Sequence, residues 1–137
     1  MTAAKEPRWV TRAIVDAIHT DQVRQHGGSF GLRDAALLES ALVRPQNRWH
    51  YEPGVDLSEL GAAYAYGISK NHPFVDGNKR TAFQTMYVFM GLNGRRIRAS
   101  EDEVVSTMEG VAAGNVNEAD LASWVREHIV RWRRRRT

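Results

Sequence analysis

His72-Pro73-Phe74-Val75-Asp76-Gly77-Asn78-Lys79-Arg80 is the stretch around which the chain is organised. A base, a carboxylate, a Gly-Asn turn and two adjacent cations fall within it, and an apolar helical pattern from Ala82 to Met90 follows at once. The first N–H groups of a helix have no partner inside the helix, and here they would point into the turn. Such a turn holds a phosphate, and a histidine beside it takes a proton from an attacking hydroxyl. The stretch reads as a phosphate-transfer site set between two helices.

Helical periodicity continues on both sides. Asp56 and Glu59 form a capping-box pattern that opens a helix from about Leu57 to Lys70, with Ala62, Ala63 and Tyr66 on its buried stripe. Gly61 and Gly67 leave room there for a neighbouring helix. Nearer the start, Trp9, Val10, Ala13, Ile14, Ala17 and Ile18 predict a helix ending near Gly27-Gly28. Ala35, Leu38 and Leu42 predict a second, stopped by Pro45. Beyond the motif helix, Asn93-Gly94 supplies a left-handed cap. Ser100 and Glu103 repeat the capping box before Val104, Met108 and Val111, and Gly114 closes that helix. Asn117 caps a last helix with Leu121, Trp124, Val125, His128 and Trp132 on one face. Only Arg95 to Ala99 reads as extended, and it is too short to support a sheet. The expectation is an all-α bundle with the motif loop between two central helices.

Composition narrows the function classes. A chain of 137 residues forms one domain with a single core, and 42% apolar with 26% charged residues is ordinary for a globular protein. The absence of cysteine excludes disulfides and thiolate metal sites and suits a cytoplasmic protein. No apolar run approaches the ~20 residues that span a bilayer, and the first residues lack a signal-peptide pattern. The pI near 9.6 comes from Arg131, Arg133, Arg134, Arg135 and Arg136. Removing those five charges from the net +3 leaves the rest of the chain at −2, so no distributed cationic face exists for duplex binding. The tail reads as a solvated, frayed helix end; weak RNA, ribosome or partner contact is the other reading.

Within the motif, Pro73 biases His72 toward an extended backbone at the mouth of the turn. Histidine is the side-chain type suited to general-base work near neutral pH. Phe74 reads as the anchor of the loop, and His19, His26, His50 and His128 as ordinary surface or core residues. Asp76 beside Gly-Asn is on its own a turn residue. Gly77 allows close backbone approach to phosphate, Asn78 adds an amide donor, and Arg80 offers a planar fork. No other phosphate cradle is written in the chain.

The motif resembles the signature of the Fic/Doc superfamily, H-x-F-x-[D/E]-[G/A]-N-[G/K]-R. Gly31-Leu32-Arg33-Asp34, Leu37-Leu38-Glu39-Ser40-Ala41-Leu42, Arg44-Pro45-Gln46-Asn47 and Leu92-Asn93-Gly94 are similar to segments of its Doc, or death-on-curing, branch. The likeness covers residues 10 to about 130 and implies a compact Fic/Doc helical bundle over 1–130, with 131–137 as an arginine-rich tail. It also implies that Asp76 holds Mg²⁺, that His72 is the general base, and that Gly77, Asn78, Lys79 and Arg80 bind the phosphates of ATP. Lys79 and Arg80 are counted with His72 as catalytic.

Two departures from the broad Fic pattern select the chemistry. Lys79 stands where nucleotide-transferring enzymes have glycine, and Phe83 where they carry a second arginine. Both are features of the Doc branch, whose reaction is transfer of the terminal phosphoryl of ATP to a threonine of elongation factor Tu. The resemblance therefore implies a kinase-type toxin that blocks translation. The inhibitory pattern [S/T]-x-x-x-E-[G/N] is missing, since Glu109-Gly110 is preceded by Val105 at the required spacing. Restraint by a separate antitoxin segment that folds on binding is the expectation. The rivals are AMP transfer on the same scaffold, and a non-enzymatic nucleic-acid or ribosome-binding subunit acting through the tail.

Overall fold

The computed structural model describes residues 5–132. Helix α1 spans Arg12–His26, α2 Ala35–Tyr51, α3 Leu57–Asn71, α4 Asn78–Leu92, α5 Glu101–Ala113 and α6 Glu118–His128. Two short strands, β1 (Arg95–Ile97) and β2 (Ile129–Arg131), complete the described fold. The bundle is helical as expected, and no helix among the described residues is long and apolar enough to cross a membrane.

Local chemistry starts the helices. Side chains of Thr11, Asp34, Asp56, Ser100 and Asn117 each accept a backbone N–H at the first turn of α1, α2, α3, α5 and α6. The capping boxes at Asp56/Glu59 and Ser100/Glu103 are both closed. Helix α4 is the exception: it begins at Gly77 in the left-handed conformation with no side-chain cap.

Helix α3 is buried on most of its circumference and forms the axis of the bundle, packed by α2, α4 and α6. Its glycines do what their spacing predicts. A Cβ on Gly61 would lie 2.9 Å from the Met90 sulfur of α4, and one on Gly67 would lie 3.3 Å from the Ala41 backbone of α2. Tyr64 crosses the core, and its hydroxyl accepts the Val10 N–H at 3.0 Å. Burial pushes the Tyr64 phenol up to about 12. Arg48 of α2 joins Glu52, Glu59 of α3 and Glu118 of α6, which holds its guanidinium pKa above the ordinary range, first through Glu52.

Three expectations are corrected. Helix α2 does not stop at Pro45 but runs through it. Proline cannot donate to the Ala41 carbonyl four residues back. Pro45 is itself buried, and Ala41 packs directly against Gly67, so tertiary contact holds the turn together. The last helix ends at His128 rather than continuing to Trp132. The β-branched Ile129 and Val130 instead pair antiparallel with β1, in the register Arg95↔Arg131, Arg96↔Val130, Ile97↔Ile129. The extended segment after α4 therefore does support a small sheet. Arg131, assigned to the tail from sequence, is the last residue of β2, while Arg133 to Arg136 lie outside the described residues. Trp132 donates its N–H to the Gly94 carbonyl at 3.0 Å, and its ring covers Gly91 at the end of α4.

Candidate active site

The loop from His72 to Gly77 joins the two central helices and is pinned from both sides. His72 caps α3 with φ 51° and ψ 53°, the one non-glycine residue with positive φ among the described residues. The extended conformation expected from Pro73 is thus not adopted. Arg33 accounts for the difference: its Nε donates to the His72 carbonyl at 2.7 Å and its Nη2 to the Asn71 carbonyl at 2.9 Å. The N–H groups of Arg33 and Asp34 both donate to the Pro73 carbonyl. The chain direction reverses sharply, and the His72 side chain is left exposed above the turn.

Phe74 anchors the loop, at 2% exposure. Its ring stacks on His19 of α1 at 3.9 Å between centroids and 9° between planes. His19 is also buried, and its Nε2 lies 2.8 Å from the Asp76 carbonyl oxygen. A carbonyl only accepts, so Nε2 carries the proton. Asn78 is 4% exposed, with Oδ1 accepting the Phe74 N–H and Nδ2 donating to the Phe74 carbonyl. The amide expected to meet a phosphate is therefore turned inward, and Asn78 offers an anion its backbone N–H instead.

What faces outward is a cavity of about 320 Å³ lined by His72 and Asp76 through Arg80. The backbone N–H groups of Asn78, Lys79 and Arg80 have no partner among the described residues, because the first α4 bond runs from Thr81 to Gly77. Gly77, φ 75°, brings the chain close beneath them. Lys79 is exposed at the rim. Arg80 donates from Nη2 to the Gly27 carbonyl at 3.2 Å, and its buried Nε has no hydrogen-bond partner. Unpaired backbone donors, an orphaned guanidinium N–H and two cations make a site shaped for phosphate oxygens.

Asp76 lies at the same mouth. Its Oδ2 accepts the Ser29 N–H at 3.2 Å and its Oδ1 the Gly77 N–H at 3.1 Å, which leaves further lone pairs on both oxygens. No cluster of three or more acidic, histidine or cysteine side chains suited to a metal occurs among the described residues. A single carboxylate next to a phosphate cradle fits Mg²⁺, which prefers one or two carboxylates, phosphate oxygens and waters. A larger cleft of about 760 Å³ between α2, α3 and α6 lies apart from this chemistry, and Arg44 and Arg48 on its wall are already paired with carboxylates.

Residues 9–90 match the sequence model of the Fic/DOC family. The chain belongs to the Fic/DOC family. It is 32% identical over 110 residues to "Protein kinase doc" of Escherichia phage P1, an alignment covering 80% of this chain and 86% of that one. It is 39% identical over 80 residues to "Toxin Doc" of Mycolicibacterium smegmatis, covering 56% of this chain and 59% of that one.

The Fic/DOC motif is legible in sequence, but its supports are not. His19 read as an ordinary histidine, yet it holds both Phe74 and Asp76. Arg33 carried no role in the sequence reading, yet it fixes the corner at His72. Gly28, φ 107°, is required because a Cβ there would meet the Asp76 carboxylate at 2.8 Å. The signal in the sequence is the Gly27-Gly28 pair, which on its own reads only as a helix stop. Around this Fic/DOC site Phe30, Leu32 and Val75 stand exposed, with Leu32 bridged to Phe74 and Val75 donating its N–H to the Gly31 carbonyl.

Proposed function

We propose that this protein is a Doc-type toxin with protein kinase activity, moving the terminal phosphoryl of ATP to a hydroxyl of a translation factor in the cytoplasm. The observation that carries the reading is one cavity joining an exposed His72 to an uncapped helix start flanked by Asp76, Lys79 and Arg80. The likeness to a protein named as a kinase and to one named as a toxin supports it. Exposed Phe30, Leu32 and Val75 suit an acceptor that is a protein surface rather than a small molecule.

In this reading a His72 ring nitrogen takes the acceptor hydroxyl's proton as its oxygen attacks the γ-phosphorus, and the bond from that phosphorus to the β,γ-bridging oxygen breaks, so that ADP leaves with the electron pair. The N–H groups of Asn78, Lys79 and Arg80, with the Lys79 ammonium and Arg80 guanidinium, hold the phosphoryl oxygens and the charge that develops on them. Asp76 would hold Mg²⁺, which when bound supplies neutralisation of the triphosphate. Lys79 is the residue that favours kinase over adenylyl chemistry, because its side chain crowds the inner phosphates of a nucleotide laid with its α-phosphate exposed. Elongation factor Tu is the acceptor to test first, and a separate antitoxin is the partner, since the chain lacks the family's inhibitory pattern.

The deciding experiment supplies ATP labelled at either the α- or the γ-phosphate together with elongation factor Tu. Stable γ-label on the acceptor is expected, absent in His72→Ala with unchanged circular dichroism and reduced in Lys79→Gly. Losing a positioned base costs roughly 10²–10⁴ in rate. Incorporation of α-label alone would make the protein an adenylyltransferase and refute the kinase reading.

A further inference from the structure

Helix α4 carries the phosphate cradle at its start, and a cluster of a different kind stands at its far end, about 20 Å away by helical rise. Arg95, Arg96 and Arg98 follow α4, and the β ladder sets Arg131 directly opposite Arg95. Arg8 joins them, since its backbone N–H and carbonyl both pair with the Asn93 side chain at the end of α4. Arg8, Arg96, Arg98 and Arg131 are exposed. Arg12, Arg44, Arg48 and Arg126 elsewhere meet carboxylates, whereas these five arginines meet none among the described residues. We propose that this end of the molecule binds single-stranded RNA.

Three features favour that ligand. Like charges directly across a ladder destabilise it, and Arg95 faces Arg131 without an acid to relieve the pair. A polyanion removes the repulsion. Aromatic faces also lie among the cations. Trp132 is 53% exposed with its ring over Gly91, and Tyr87, one turn earlier on α4, lines a cavity of about 550 Å³ with Arg96, Arg98 and Val130. The Trp132 N–H bonded to Gly94 extends the ladder by one residue, so Trp132, Val130 and Arg96 share one side of the ribbon. Bases stack on such rings while phosphates meet guanidinium groups, which holds a single strand without reading its sequence. An acidic peptide would use the cations and leave the rings idle, and a duplex hides its base faces. Finally, the cations are concentrated rather than spread. Arg133 to Arg136 follow in the sequence, and without the five arginines of 131–136 the chain is net negative. Held at this end, the protein keeps the start of α4 open to its other ligands.

Fluorescence anisotropy of the whole protein tests this with three labelled probes: an oligouridylate of about 12 nucleotides, an RNA duplex of equal length and an oligoglutamate peptide. The single strand should bind most tightly, and its affinity should fall steeply with salt. The double variant Arg96→Gln, Arg98→Gln should weaken it at least about tenfold and reduce the slope of log affinity against log salt by about 1.4. Trp132→Leu keeps apolar cover over Gly91 and removes the stacking face, so it should cost at least about fivefold with the slope unchanged. Thermal midpoints confirm that both variants fold. No binding of the oligouridylate by wild type at low salt would overturn the proposal, as would equal or tighter binding of the duplex or the peptide. Wild-type affinity in the arginine variant would do the same, and in Trp132→Leu it would leave only a charge contact and overturn the single-strand assignment.

Discussion

Arg33 and His72 are joined through the backbone, the guanidinium of one donating at 2.7 Å to the carbonyl of the other. The same guanidinium reaches the Asn71 carbonyl, so one planar fork closes the end of α3 and fixes the corner on which the proposed base stands. A left-handed non-glycine residue costs on the order of 1–2 kcal/mol, and these bonds offset that. In Arg33→Met the corner relaxes and the imidazole loses its aim. Phosphoryl transfer should fall about 10–100-fold while the KM for ATP stays near wild type, because the cradle on α4 is untouched. Steady-state kinetics separate the two parameters, and a change confined to KM would contradict this role.

His19 acts on the other side of the loop, by ring stacking with Phe74 and by its bond to the Asp76 carbonyl. His19→Phe keeps the stack and deletes the donor. The expected result is a thermal midpoint close to wild type with kcat lowered by about tenfold or more, through displacement of Asp76. Unchanged kcat would mean that Ser29 and Gly77 hold the aspartate without help.

Gly27 and Gly28 offer a controlled pair. Both have positive φ, but a Cβ at Gly27 meets nothing within 4 Å, whereas one at Gly28 strikes the Asp76 carboxylate. Alanine at either position carries backbone strain of roughly 1–3 kcal/mol. Only Gly28→Ala should also lose activity and raise the Mg²⁺ concentration needed for half-maximal transfer. Denaturant titration checks the shared stability loss, and equal kinetics in the two variants would remove the steric argument.

His128 ties the end of α6 to the start of α5. Its Nδ1 faces the Trp124 carbonyl at 2.6 Å and its Nε2 the Glu103 carboxylate at 2.9 Å. Both partners are acceptors, so the doubly protonated ring satisfies both. Its pKa is raised above the ordinary 6.5, first by the Trp124 carbonyl and then by Glu103. A raised folded pKa stabilises fully below 6.5, and the contribution disappears as pH climbs through the folded value. Glu103, lowered first by the Ser100 N–H, behaves oppositely: its contribution is present above 4.5 and fades as pH falls through its lowered value. Thermal midpoints should therefore decline on the alkaline side more in wild type than in His128→Gln. Parallel curves from pH 6 to 9 would rule out the tie.

What the sequence disclosed follows from the range of the interactions involved. Asp56 with Glu59 and Ser100 with Glu103 close within one helical turn, so pattern alone locates those helix starts. The motif likewise carries its own loop and helix. Pro45 was misread because the contacts that keep α2 intact come from Gly67 on another helix. The β1–β2 ladder was missed because Arg95 and Arg131 meet only after two intervening helices have folded. His72 was expected to be extended since Pro73 is adjacent, while the residue that overrides Pro73, Arg33, lies far back in the chain. At the site, the residues of the motif were legible and their scaffolding on α1 and the loop after it was not. Asn78 shows a finer limit, because residue type announces an amide but not which way it points.

Five of the described helices begin on a side chain of their own, and α4 does not. An anion seated over Asn78, Lys79 and Arg80 would do there what Asp56 does for α3. The ligand then completes a secondary-structure element, and folding and occupancy become linked equilibria. Occupancy at a hundred times Kd would contribute about 2.7 kcal/mol to the folded state, a large part of the margin of a small domain. Resistance to heat and proteolysis would accordingly rise and fall with the supply of that anion, making a well-fed cell the environment in which this protein lasts longest.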